Sequence, residues 1–289
     1  VSGILNNSSA VYEMGPANTA MEKNLISWMT SLVGYDSNSD GIFTSGGTLG
    51  NLTALLAARQ TMAGYDIWQE GLKENNLTIF VSEQAHYSVK RAAQVMGFGE
   101  KGVVLIPSDD KYSMDINVLE EKYTETLKQG RKVIAVVANA CSTATGSYDD
   151  LNKVADFCEK YNLWMHVDGA HGASALLSQK YRHLLKGIER ADSVVWDAHK
   201  MMMIPTLITA VLFKNGKNSY KALSQEASYL FEGDAEDEWY NYSHRTFECT
   251  KGMMGFKLYI CLKTYGQKIF EEFIDYVYDL TAKFAQMIE

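Results

Sequence analysis

A lysine at position 200 closes the run Ser193-Val194-Val195-Trp196-Asp197-Ala198-His199-Lys200. The apolar first half reads as a buried strand, which would put the amine at the mouth of a sheet, where an ammonium is costly to hold out of water. Desolvation there favours the neutral amine, which can add to a carbonyl and form a Schiff base. Taken alone, the same lysine also fits an exposed loop. Earlier in the chain, His166-Val167-Asp168-Gly169-Ala170-His171 ends another apolar run on a carboxylate. A protonated pyridine nitrogen would partner that carboxylate, and a ring kept cationic draws electrons from an adjacent carbanion. Asp before Gly is also common in plain turns.

A third group, Thr44-Ser45-Gly46-Gly47-Thr48-Leu49-Gly50-Asn51, places two glycines and a hydroxyl ahead of a helix. Free backbone N–H groups and the helix dipole suit a phosphate there, although a glycine pair also makes an ordinary tight turn. His86, in Ser82-Glu83-Gln84-Ala85-His86-Tyr87, fits either a ring stacked on a planar cofactor or a structural histidine. Amine, carboxylate and anion cradle together specify more than each does separately, and the group they suit is pyridoxal 5'-phosphate. His166 lies two residues before Asp168, on the same strand face, and is read as structural. His183 and His244 carry no chemical signal. The four cysteines, Cys141, Cys158, Cys249 and Cys261, show neither metal-ligand nor redox spacing, so no metal site is expected, and most are read as reduced core fillers.

These residues need a frame that brings strand ends together. Helical spacing covers 19–33, through Met21, Leu25, Trp28, Met29 and Leu32, and continues after Gly47 through Leu49, Leu52, Leu55 and Leu56. Further helices are predicted near 88–96, over 115–128 and 149–161, and from 251 onward with a break at Tyr265-Gly266. Short apolar runs predict strands at 79–81, 103–106, 133–137, 163–167, 193–196 and 210–213. Strands split by crossover helices imply an α/β fold with a mainly parallel sheet, whose ligands sit beyond the carboxyl ends of the strands.

Bulk properties narrow the partners. The 289 residues are 46% hydrophobic and 21% charged, an ordinary globular mix. A formal net charge of -8 argues against nucleic acid and anionic membranes, and no apolar run reaches bilayer-spanning length. A cytoplasmic protein is expected. The chain opens on Val1 and stops at Glu289 within a helical pattern, and is read as the middle of a longer protein.

The motifs in this order resemble the group II pyridoxal-phosphate amino-acid decarboxylases, which act on aromatic amino acids, glutamate, cysteine sulfinate, diaminobutyrate or aspartate. The likeness runs from Gly15-Pro16-x-x-Thr19-x-Met21-Glu22 through Ser45-Gly46-Gly47-Thr48, with Asn51 and Ala57-Ala58-Arg59. It continues through Gln84-Ala85-His86, Val167-Asp168-Gly169-Ala170, Ala198-His199-Lys200 and Ala227-Ser228-Tyr229-Leu230. It implies a fold-type-I large domain with a mainly parallel, mixed seven-stranded sheet. It also implies a homodimer with the active site at the interface, and a family subunit extending beyond this chain by an N-terminal segment and a small C-terminal domain. By the same resemblance Lys200 is the Schiff-base lysine, Asp168 pairs with the pyridine nitrogen, and His86 stacks on the ring near the substrate carboxylate. Gly47, Thr48 and His199 contact the phosphate region, Thr143 lies near the ring, and Ala170 packs on its face. A loop tyrosine protonates the substrate carbon after carbon dioxide leaves. Tyr229 is the candidate, with Tyr240 and Tyr242 as alternatives, and a tyrosine there favours simple decarboxylation over oxidation. One departure stands out. Many members carry Asn-Pro-His-Lys, whereas here Asp197-Ala198 precede His199, and an acid beside a phosphate must be protonated or paired. The rival readings are an aldolase, aminotransferase or sulfur transferase on the same fold, or a truncated non-catalytic paralogue. The resemblance leans toward acidic or diaminobutyrate substrates over aromatic ones.

Overall fold

The computed structural model describes residues 7–73, 76–223 and 238–288. Helix α1 (Pro16–Val33) opens with proline at its first turn, where the missing N–H costs nothing. Strand β1 (Asp40–Thr44) leads into helix α2 (Gly47–Met62). Strand β2 (Leu77–Ser82), helix α3 (Tyr87–Val95) and strand β3 (Val103–Ile106) follow. Helix α4 (Leu119–Lys128) precedes β4 (Lys132–Asn139), and α5 (Leu151–Tyr161), capped by the Asp150 carboxylate, precedes β5 (Trp164–Asp168). A series of short 3-10 turns leads to β6 (Ser193–Asp197) and β7 (Thr209–Phe213). Helices α6 (Asn218–Leu223), α7 (Met254–Tyr265) and α8 (Lys268–Ile288) complete the described chain, with Gly266 between the last two as the sequence predicts.

The seven strands form one sheet in the order β1-β7-β6-β5-β4-β2-β3. Pairings from β3 across to β6 are parallel, while β7 runs antiparallel to both β6 and β1. The mainly parallel, mixed sheet expected of fold type I is therefore present. Two local expectations needed correction. Strand β1 escaped the sequence reading because Asp-Gly-Ile-Phe-Thr lacks a sustained apolar run. Strand β3 is a sheet edge rather than a buried strand, with Leu105 55% exposed.

Each sheet face carries its own core, because successive side chains of a strand point to opposite faces. One face packs Ile79, Val81, Ile134, Trp164 and Val195 under α2 and α3. The other packs Phe80, Val136, Val167 and Trp196 against Leu25 and Met29 of α1 and Ile274 of α8. A buried ionic clamp fixes the turn between β1 and α2. Glu22 of α1 accepts from the Phe43 backbone N–H at 2.9 Å and from the Lys251 ammonium, which also donates to the Phe43 carbonyl at 2.9 Å. Breaking one partner of such a pair strands the other charge in the core. No helix among the described residues is long and apolar enough to cross a membrane.

Candidate active site

Strands β4, β5 and β6 end side by side, on Asn139, Asp168 and Asp197, with Asn139 in register with Asp168. The carboxyl ends of parallel strands are thus one polar shelf, roofed on one side by the start of α2. A cavity of 210 Å³ lies there. Lys200, His86, Asp168, Gly47, Thr48, Thr143, Ala170, His199 and Asp197, which come from five separate stretches of sequence, all line it. Among the described residues lining the cavity, Lys200 is the one lysine.

The entry to α2 is built for an anion. Gly46 has a φ of +136°, which only glycine adopts freely, and helix α2 begins at Gly47 with no side-chain cap. Its first N–H groups have no acceptor within the helix, an arrangement that suits an anion. A Cβ at Gly47 would meet the Asp197 carboxylate at 3.3 Å, so the missing side chain keeps the cradle open.

Asp197 satisfies the condition its charge imposes. Its carboxylate lies 2.9 Å from Lys200 Nζ and 3.6 Å from His199 Nε2, and accepts from Thr209 Oγ1 at 2.6 Å. It is paired, not stranded. Lys200 departs from expectation: its side chain is 37% exposed, so the ion pair rather than a dry strand mouth holds it. His199 is pinned through Nδ1 to Ile208, 2.9 Å from the carbonyl and 3.2 Å from the N–H.

Asp168 is buried at the end of β5. Its Oδ2 accepts from Asn51 Nδ2 at 2.8 Å and its Oδ1 from the Ala170 backbone N–H at 3.2 Å. Behind it, His166 is fully buried, and desolvation lowers its pKa to about 4. The folded chain therefore holds a neutral imidazole between pH 6.5 and 4, while the unfolded chain binds a proton. This contribution to stability is complete above pH about 6.5 and is lost as pH falls toward 4, by on the order of 3 kcal/mol. Asp149, which burial holds up to about 6, acts in the opposite sense over part of the same range. The difference in unfolding free energy between wild type and His166→Gln, followed from pH 7 to 4, isolates the histidine and should show that slope. A flat difference would refute it.

Residues missed as site candidates include Asn51, Ser88, Asn139 and His171, which also line the cavity. The available signal was positional: Asn51 lies one helical turn after Gly47, and Trp164, His166 and Asp168 alternate along one strand face. Asn139 Nδ2 is buried with no protein partner, a donor suited to a polar atom of a bound ring. Tyr229 lies outside the described residues. Neither alternative tyrosine lines the cavity: Tyr242 is fully buried beneath Arg245 and Lys251, and Tyr240 packs its ring against Tyr12. Among the cysteines Cys158 is buried in the core and Cys261 packs half-buried against it, while Cys141 lines the cavity and Cys249 is exposed. Among the described residues no group of three or more His, Cys, Asp or Glu is arranged to hold a metal ion.

An amine, a strand-end carboxylate and an uncapped helix start, set on a mixed sheet of this strand order, define the fold-type-I class of pyridoxal-phosphate enzymes. The chain belongs to the pyridoxal-dependent decarboxylase family, whose conserved domain matches residues 1–289. It is 36% identical over 288 residues to the acidic amino acid decarboxylase GADL1 of Xenopus tropicalis, covering 99% of this chain and 56% of that protein. It is 33% identical over 257 residues to an aromatic-L-amino-acid decarboxylase of Bacillus atrophaeus, covering 89% and 52%. The crystal structure of mouse CSAD superposes with a TM-score of 0.93 at 31% identity, covering 99% of this chain and 59% of that one. The chain thus spans little more than half the length of the relatives it matches. The family match does not favour the aldolase, aminotransferase and sulfur-transferase alternatives.

Proposed function

We propose that the protein decarboxylates an L-amino acid to the corresponding amine and carbon dioxide, with these 289 residues as its cofactor-binding large domain. The observation that carries this reading is the meeting of Lys200, Asp168 and the open start of α2 around one cavity. When bound, pyridoxal 5'-phosphate supplies the electron sink for the pair released as the carboxylate leaves. Lys200 would offer the amine that holds the cofactor covalently until a substrate amine replaces it. Asp168 faces the ring nitrogen, and the Asn51 and Ala170 donors orient its two oxygens. The N–H groups of Gly47 and Thr48 receive the phosphate, with His199 beside them. Asp197 holds the Lys200 amine at the cavity edge, a contact that supports a role toward the lysine more than toward the phosphate. Asn139, Thr143, Ala170 and His86, which line the same cavity, would hold the ring between them.

Tyr229 returns a proton to the substrate α-carbon. Burial of Tyr242 and the packing of Tyr240 support this choice over its neighbours. The active unit is a homodimer. A second groove, which shares Gly47, Thr48 and Ser88 with the cavity, is walled by Val95 and Leu207, 68% and 48% exposed, an apolar rim suited to a second copy. Four unpaired cysteines accord with a reducing cytoplasm.

Carbon dioxide release from a panel of amino acids tests the reaction and identifies the side chain recognised. Tyr229→Phe should lower amine formation on the order of 10²-fold or more, the usual worth of a positioned proton donor. Undiminished amine output from the variant would remove Tyr229 from the mechanism, and no release from any amino acid would refute decarboxylation.

A further inference from the structure

The cavity's two walls are joined by a chain of hydrogen bonds in which each partner dictates the next. Asn51 Nδ2 donates to Asp168 Oδ2 at 2.8 Å and to Ser88 Oγ at 3.0 Å. With its amine end turned to a carboxylate, its Oδ1 must face His166 Nε2, 3.0 Å away, and that nitrogen must carry the proton. His166 is neutral, so Nδ1 is an acceptor and takes the Ser193 hydroxyl proton at 2.9 Å. Ser193 Oγ in turn accepts from the donor-only indole of Trp164 at 2.9 Å, which closes that end of the chain. At the other end, Ser88 Oγ has accepted from Asn51 and has one proton to give. The acceptor in reach is His86 Nδ1, at 2.7 Å, which also accepts from the Ser88 backbone N–H at 3.3 Å.

We propose that Asn51, Ser88 and His166 form a positioning relay that holds His86 as its Nε2–H tautomer and couples it to the Asp168 carboxylate. His86 then meets the substrate as a hydrogen-bond donor, suited to an anionic oxygen such as that of the departing carboxylate, and not as a base. Asn51 is the joint, since one amide orients the Asp168 carboxylate and, through Ser88, the His86 imidazole. The bearing on substrate rests on the function proposed above; the relay itself is a property of the folded chain.

The test reads the histidines directly. In protein labelled with nitrogen-15 histidine, without cofactor, the ring-nitrogen shifts of His86 and His166 should both report Nε2–H with an acceptor Nδ1. Ser88→Ala removes the hydroxyl at 2.7 Å and leaves Nδ1 only the longer backbone N–H at 3.3 Å, so the His86 Nδ1 signal should move part of the way from the acceptor position toward the average of the two tautomers, while His166 keeps its wild-type shifts. Ser88→Thr, which retains the hydroxyl, should restore the wild-type His86 signal. Asn51→Asp reverses the demand on Ser88, whose proton is then drawn to position 51, and should shift His86 toward Nδ1–H. In the cofactor-loaded enzyme Ser88→Ala should lower kcat roughly 10-fold with KM little changed, the worth of one lost hydrogen-bond partner. An unaltered His86 spectrum in Ser88→Ala, or in Asn51→Asp should the first variant not fold, overturns the relay. If the wild-type pattern appears but no cofactor is taken up, the relay stands and the proposed function fails.

Discussion

Lys200→Ala should release no measurable carbon dioxide, a loss on the order of 10³-fold or more, and should lack the visible absorption of covalently held cofactor. Lys200 is the one lysine among the described residues that line the cavity, so no neighbour can supply the amine. Its ammonium is also the partner of Asp197 at 2.9 Å, and losing that pair alone would disturb the site. Lys200→Arg separates the two roles. The guanidinium still neutralises Asp197 but cannot form the covalent link, so the arginine variant should be as inactive as the alanine variant. Mass spectrometry after borohydride reduction checks the same point, since wild type should gain the cofactor's mass and neither variant should. Substantial activity in the arginine variant would reduce Lys200 to an ion-pair partner.

The second large effect is expected at Asp168. Asp168→Asn preserves shape but removes the charge, and it turns one of two acceptors into a donor. Both oxygens now accept, one from Asn51 Nδ2 and the other from the Ala170 N–H, so an amide must set its own N–H₂ against one of those donors. Loss of the charge weakens the site's hold on a cationic ring, and the donor clash misorients what remains. Turnover should fall on the order of 10²- to 10³-fold, the scale for removing one preorganised electrostatic contact from a reacting centre. Cofactor affinity should fall with it, read by equilibrium titration of the absorbance. Wild-type turnover and affinity in this variant would mean that the carboxylate does not face the ring nitrogen.

Much of the frame was legible because the interior strands have continuous apolar runs and the helices keep their period. Strands β4, β5 and β6 and helices α1 and α2 fall where patterning places them, within a few residues. Strand β1 did not announce itself, since five residues opening with Asp-Gly become a strand only when β7 offers a partner. The site divides in the same way. Lys200, Asp168 and the Gly46-Gly47 turn were readable because each is an odd residue type at the end of a regular run. Asn51 and Ser88 were not, since a polar residue inside a helix has many ordinary explanations until the strand beneath it is known. His166 was assigned to structure, and its full burial agrees, yet it also sets the amide on which Asp168 rests.

The order of residues is enough to supply the chemical types, an amine, a carboxylate, an anion cradle and an imidazole, and the succession of elements carrying them. Local patterning fixes these because apolar period and glycine placement act over a few residues. Folding is needed to show that the acid at 197 is neutralised by the amine at 200 and that Lys200 remains partly in solvent. Folding likewise makes one asparagine link two walls of the cavity. Those outcomes depend on distances between residues far apart in the chain, set by how α2 packs across the ends of β5 and β6.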